Sequence, residues 1–107
     1  MLVSEYEIKV ETSVGITTFI VNGSLYEQSA SDQLSGAVRK QLGIGNKSLV
    51  IDLSQCKAIS SYGVGQLIAL NNSVKSQSGT LTFVGLRKEM KDIMAALLLD
   101  QILTLKN

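Results

Sequence analysis

The sequence predicts a single α/β domain spanning residues 1–107, with a mixed, mostly parallel sheet opened by an N-terminal hairpin. The expected element order is β-β-α-β-α-β-α. Three observations carry this reading. Apolar and polar residues alternate strictly near the N-terminus, two short β-branched runs occur at Ser48–Leu53 and Thr80–Val84, and stretches with helical apolar spacing separate and follow them. Strands that alternate with helices favour right-handed crossovers and parallel pairing, and the hairpin makes the opening strand antiparallel.

In the first strand, Tyr6, Ile8 and Val10 alternate with Glu7, Lys9 and Glu11 up to Thr12, the period of a half-buried strand. Ser13-Val14-Gly15 reads as a turn, and the β-branched run from Ile16 to Val21 completes a hairpin that Asn22-Gly23 is expected to end. Ser29-Ala30-Ser31-Asp32 fits a helix-capping pattern with Ser29 as the cap. Ala30, Leu34, Ala37, Val38 and Leu42 then share one helical face, and Gly43 or Gly45 supplies the stop.

Ser48–Leu53 is nearly all apolar, as expected of a central strand covered on both faces. A loop over Ser54–Ser60 should lead to a second helix from about Ser61 to Ser76, with Val64, Leu67, Ile68, Leu70 and Val74 inward. After Gly79 and the strand Thr80–Val84, Met90, Ile93, Met94, Leu97 and Leu98 recur at helical spacing between Arg87 and Leu99. Ile102, Leu103 and Leu105 read as a short strand or extension.

Composition closes much of the catalytic menu. The chain has no His, Pro or Trp and a single Cys. Without His there is no Ser-His-Asp or Cys-His nucleophile pair and no imidazole for zinc, so no metal is expected. Lone Cys56 cannot form an internal disulfide and suits a reducing compartment. Ten basic against nine acidic residues give a net charge of +1, too even for a nucleic-acid surface. The N-terminus shows no basic, apolar signal pattern, and the longest apolar run, Ile93–Leu99, is far short of a membrane span. A cytoplasmic protein without direct membrane insertion is the expectation.

Two phosphate-loop patterns fail. Gly43-Ile44-Gly45-Asn46-Lys47-Ser48 has Asn46 and Gln41 where the Walker pattern needs Gly, and it follows a helix instead of opening one. Gly63-Val64-Gly65 lacks the third Gly of a dinucleotide fingerprint, because Ile68 stands there. No cofactor is expected. Asp52, near the end of a central strand, is read as bonding nearby loop amides, and the mixed charges Arg87, Lys88, Glu89, Lys91 and Asp92 as a solvated helix face.

What remains is Ile59-Ser60-Ser61-Tyr62-Gly63-Val64-Gly65, between a strand and a helix. Ser60 or Ser61 is placed to cap the helix. Two glycines in the first turns cost the helix about 1 kcal/mol each relative to Ala, so something packs closely there. That neighbour is either the protein's own strand, a reading that suits Gly65, or a docked partner. A phosphate on either Ser would sit at the positive end of the helix dipole and bring roughly −2 charge into a docking surface.

This stretch, with Leu49-Val50-Ile51-Asp52-Leu53 before it, resembles the signature of the STAS domain, the family of bacterial anti-sigma factor antagonists. Val21-Asn22-Gly23-Ser24-Leu25, Gly79–Gly85 and Met90–Met94 extend the resemblance over nearly the whole chain in order and spacing. It implies a non-catalytic, partner-switching regulator of transcription. Such a protein binds an anti-sigma factor that is also a serine protein kinase, is released when that kinase phosphorylates it, and is restored by a phosphatase. By position Ser61 matches the phosphoacceptor, with Ser60 as the alternative. The partner-binding surface would comprise Ser24, Tyr26, Ser60, Ser61, Tyr62, Gly63 and Val64. The family's acidic positions read Ser24, Tyr26 and Ser60 here, which leaves a rival reading open: a STAS scaffold subunit of a signalling assembly or lipid-transport complex, with no phospho-switch.

Overall fold

The computed structural model describes residues 6–106. Strand β1 (Tyr6–Ser13) pairs antiparallel with β2 (Ile16–Leu25) through the two-residue turn Val14-Gly15. Both turn residues have positive φ, 54° and 77°, the geometry that matches the right-handed twist of a hairpin. Helix α1 (Gln28–Gly43) crosses to β3 (Ser48–Asp52), parallel to β2. Strand β4 (Cys56–Ile59) and helix α2 (Ser61–Ser76) follow, then β5 (Thr80–Val84), α3 (Lys88–Ala96), a 3₁₀ turn at Leu99–Gln101 and β6 (Thr104–Lys106). The sheet order is β1-β2-β3-β5-β6, with every pairing after the hairpin parallel. The predicted α/β class and helix order are those observed.

Four local expectations need correction. First, β3 is covered on one face only. Leu49 and Ile51 are buried while Val50 and Asp52 are half-buried, and β2 and β5 repeat this alternation. The molecule has two layers, 21 Å in its shortest dimension. Apolar Val50 misled the reading, since an apolar residue on a half-exposed face looks like core in sequence.

Second, Asn22-Gly23 does not end β2. Gly23 takes φ 110° at a register shift, and the strand resumes to Leu25. The extra residue of that shift is Lys57 of β4, since Gly23 pairs with Cys56 and Ser24 with Ala58.

Third, the stretch read as a loop after Leu53 contains β4, which pairs with the far end of β2 just as β3 pairs with its near end. Strands β3 and β4 therefore run along the same side of β2, and the Gly23 N–H bonds the Gln55 carbonyl at 3.0 Å between them.

Fourth, Glu27, not Ser29, is the N-cap of α1, and its side chain makes no capping bond. Ser29 lies inside the helix, while Ser31 turns its hydroxyl back to the Leu25 carbonyl at 3.1 Å.

One core lies between the sheet and the helices. Phe19, Val21, Ile51 and Phe83 meet Leu34 and Val38 of α1, Leu67, Leu70 and Val74 of α2, and Met90 and Met94 of α3. The third helix is shorter than its periodicity suggested, because Leu98 adopts a left-handed conformation (φ 58°) that ends it. Leu97 and Leu98, at and beyond its end, are exposed, and so is Ile93, which lies within the helix on its solvent side.

Candidate partner-binding site

The site grows from the parallel pairing of β2 and β4. Ser24 lies opposite Ala58 and Leu25 opposite Ile59, so the chain leaving β2 and the chain entering α2 run side by side. Ser60 is extended (φ −93°, ψ 171°) and its hydroxyl accepts a bond from the Gly63 N–H at 3.1 Å, satisfying one of the free donors of the first turn. Its carbonyl takes the Val64 N–H at 2.9 Å. Ser61 is the first helical residue; it is exposed, and no group among the described residues bonds its hydroxyl. No acidic residue occupies the first turn of α2, so the positive end of the helix is not neutralised from within.

The two glycines separate cleanly. A Cβ on Gly63 would meet Ile59 Cγ1 at 2.7 Å, the Leu25 carbonyl oxygen at 3.0 Å and Ser31 Oγ at 3.1 Å. Gly63 is therefore the position at which α2 presses on its own strand. Gly65 has nothing within 4 Å and faces open space, contrary to the reading that gave it the packing role. The seven partner-binding candidates thus divide by accessibility. Ser61 and Tyr62 are exposed beside half-buried Ser60, Tyr26 projects with two-thirds of its surface (66%) in solvent, and half-buried Ser24 accepts the Tyr26 N–H at 3.0 Å. Gly63 is buried, and Val64 is nearly so at 9%.

Val64 is nonetheless part of a surface groove. Ile59, Ser60, Ser61 and Val64 form one wall and Ile93 and Leu97 of α3 the other. With Ile93 44% and Leu97 56% exposed, this is an apolar strip alongside the free Ser61 hydroxyl. Sequence reasoning missed Ile93 and Leu97 because their helical spacing is equally that of a core stripe. It also missed a polar cluster on the opposite flank. The Tyr62 hydroxyl donates to Asp32 Oδ1 of α1 at 2.5 Å, and Gln66 Nε2 reaches both that oxygen (3.2 Å) and the Tyr62 oxygen (2.7 Å). In sequence Asp32 fits the capping pattern at Ser29, and the one hint of this cluster is the spacing of Tyr62 and Gln66, one turn apart on α2.

Asp52 and Cys56 serve the fold. Asp52 Oδ1 accepts the Ser54 N–H at 2.9 Å, as its place at a strand end implied. Gly85 (φ 73°) leaves room for this turn, since a Cβ there would lie 2.8 Å from Ser54 and 3.0 Å from Asp52 Oδ1. Cys56 is fully buried, and burial pushes its thiol above the ordinary value despite a 3.4 Å bond to the Ala58 carbonyl. Among the described residues, no three His, Cys, Asp or Glu side chains cluster to hold a metal, and no helix is long and apolar enough to cross a membrane.

A two-layer α/β domain whose exposed serine opens a helix after a short strand matches a known domain family. The family model for the STAS domain covers residues 7–107, and the chain belongs to that family. The fold is shared with TM1081 of Thermotoga maritima (16% identity over 94% of this chain and 86% of that one, TM-score 0.84). An anti-sigma factor antagonist from Mycobacterium paratuberculosis is also similar (22% identity, 94% and 84% covered, TM-score 0.81). So is the anti-sigma factor antagonist SpoIIAA, solved unphosphorylated (12% identity, 94% and 88% covered, TM-score 0.74) and, as the Bacillus cell fate determinant, phosphorylated (13%, 94% and 92%, TM-score 0.74). At these identities the likeness is one of fold. No curated protein matches the sequence significantly.

Proposed function

We infer that this STAS domain is a non-catalytic, cytoplasmic regulator that docks a protein partner through the start of α2 and is released by phosphorylation of Ser61. The partner is an anti-sigma factor that is also a serine kinase, with a phosphatase to reverse the mark. One observation carries the choice of serine. The Ser60 hydroxyl is engaged by the Gly63 N–H, whereas that of Ser61 is exposed and bonded by no group among the described residues. Phosphorylating Ser60 would disturb the cap, but Ser61 can take a phosphate without losing a bond. The phosphate would sit at an unneutralised helix N-terminus, which stabilises it in the free protein. On the partner side it would place about two negative charges beside the strip formed by Ile59, Val64, Ile93 and Leu97, where desolvating them opposes docking. Tyr26 and Tyr62 flank the surface as amphipathic anchors. The SpoIIAA structures in both phosphorylation states support this reading by their shared fold.

The scaffold alternative uses the same surface permanently. It is favoured by the absence of a carboxylate at Ser60, Ser24 and Tyr26, and by the engagement of the neighbouring Asp32 with Tyr62 and Gln66. Capture of partners from native cells, followed by mass spectrometry of the chain incubated with the captured kinase and ATP, separates the two. The switch expects a kinase-type partner, modification at Ser61, binding retained in Ser61→Ala and lost in Ser61→Asp. Recovery of transport ATPase subunits, modification elsewhere, or full binding by Ser61→Asp overturns it.

A further inference from the structure

The two edges of the sheet are unlike. Strand β6 is three residues long, too short to template further pairing, but β1 runs for eight residues without a bulge and, among the described residues, pairs on one side only. Long regular edge strands recruit further strands unless proline, a bulge or repelling charge blocks them. The chain has no proline, and β1 shows no register shift. Its charges alternate in sign, Glu7, Lys9, Glu11.

Hydrogen-bond direction follows from the turn. In a two-residue hairpin the closing pair, here Ser13 and Ile16, exchanges both backbone bonds, and bonded pairs then recur at every second residue. Ser13, Glu11, Lys9 and Glu7 therefore point their backbone groups at β2. Those of Thr12, Val10, Ile8 and Tyr6 point at the free edge. Val10 is also 42% exposed.

We propose that β1 is a self-pairing edge, docking antiparallel on β1 of a second copy about a two-fold axis at Val10. In that register Val10 exchanges bonds with Val10 of the second copy, and Ile8 with Thr12. Lys9 meets Glu11, and Glu11 meets Lys9, in the closer non-bonded pairs where opposite charges attract most. Both ion pairs lie on the sheet face that the helices leave open, since Lys9 and Glu11 are in register with half-buried Ile20 and Thr18. Neighbouring registers are poorer. An axis at Lys9 sets Lys9 against itself and Glu7 against Glu11, and an axis at Glu11 sets Glu11 against itself; an axis at Ile8 sets Lys9 against Glu7 but leaves Glu11 out of any ion pair within β1. The alternating charge fits a copy of this chain as the occupant, and the axis at Val10 is the one that pairs Lys9 with Glu11 while keeping Glu7 to Ser13 of both copies within β1. The pairing needs no assumption about the partner at Ser61.

Sedimentation velocity of the full chain from micromolar to millimolar concentration tests this. The expected result is a reversible monomer–dimer equilibrium. Lys9→Glu alone and Glu11→Lys alone should each raise the dissociation constant about tenfold or more, because both ion pairs become repulsive. An equimolar mixture of the two variants should dimerise again, because every acidic position then meets a basic one. Val10→Pro, which removes an N–H facing only the second copy, should also be monomeric while keeping the circular dichroism of the fold. A chain that stays monomeric at millimolar concentration overturns the proposal. So does a dimer that the single charge changes leave intact, or whose loss the mixture does not repair.

Discussion

The Tyr62 hydroxyl, one residue into α2, donates to the carboxylate of Asp32 in α1, so the exposed start of the second helix is tied to the first by a charge-assisted bond. With Gln66 bonded to both, the three side chains form one unit. Tyr62→Phe and Asp32→Asn should each lower stability by about 1 kcal/mol in urea denaturation. The double variant should lose little more than either single one, the signature of a shared interaction in a double-mutant cycle.

Gly63 and Gly65 should respond to alanine with opposite signs. At Gly63 the added methyl meets the Leu25 carbonyl, a backbone atom that cannot swing aside, so Gly63→Ala should cost about 1–3 kcal/mol. At Gly65 the space is open and the position helical, so Gly65→Ala should gain about 0.5–1 kcal/mol. Thermal melts of the two variants check both signs.

The division of labour between the two serines also has a stability readout. Ser60→Ala removes the side-chain cap of α2 and should cost about 1 kcal/mol, whereas Ser61→Ala should stay within about 0.5 kcal/mol of the parent. Chemical denaturation gives both values, independently of any partner. Equal losses would show that both hydroxyls serve the fold.

Cys56 should be inert in the native state. Its thiol is fully buried and titrates above the ordinary value of about 9, so alkylation at pH 8 should proceed only through unfolding. The sign of the pH dependence follows. Above the ordinary value the unfolded thiol loses its proton while the folded one keeps it, so this group's contribution is fully present below about pH 9 and is lost as pH rises through the folded value. Comparing the alkaline limbs of stability for the parent and Cys56→Ala isolates it.

The sequence made the α/β class and the helix order legible because period 2 and period 3.6 are printed directly in side-chain chemistry, as in Tyr6–Thr12 and Ala30–Leu42. It misplaced what depends on neighbours. Val50 is apolar whether its face is covered or open, and Ile93 and Leu97 fit a helical stripe whether or not a layer lies above them. Strand β4 was hidden because Cys56-Lys57-Ala58-Ile59 has no alternation of its own and exists by pairing with β2. In the site, the serines and glycines were visible as a motif, but Ser60, Ser61, Gly63 and Gly65 acquired separate roles only once distances were known. Asp32, distant from the motif in sequence, had no local signal at all.

The pairing of β4 with the far end of β2 leaves β4 in a particular mechanical position. Among the described residues β3 is clamped between β2 and β5, whereas β4, further along the same side of β2, has a strand on one side only. Within the sheet, Ile59 and the serines after it are therefore held through β2 alone, at Gly23–Leu25, while the start of α2 keeps two further anchors, Gly63 against Leu25 and Tyr62 on Asp32. Parting the end of β4 from the sheet would break only the few bonds of that short ladder and leave the pairings of β3 with β2 and β5 in place.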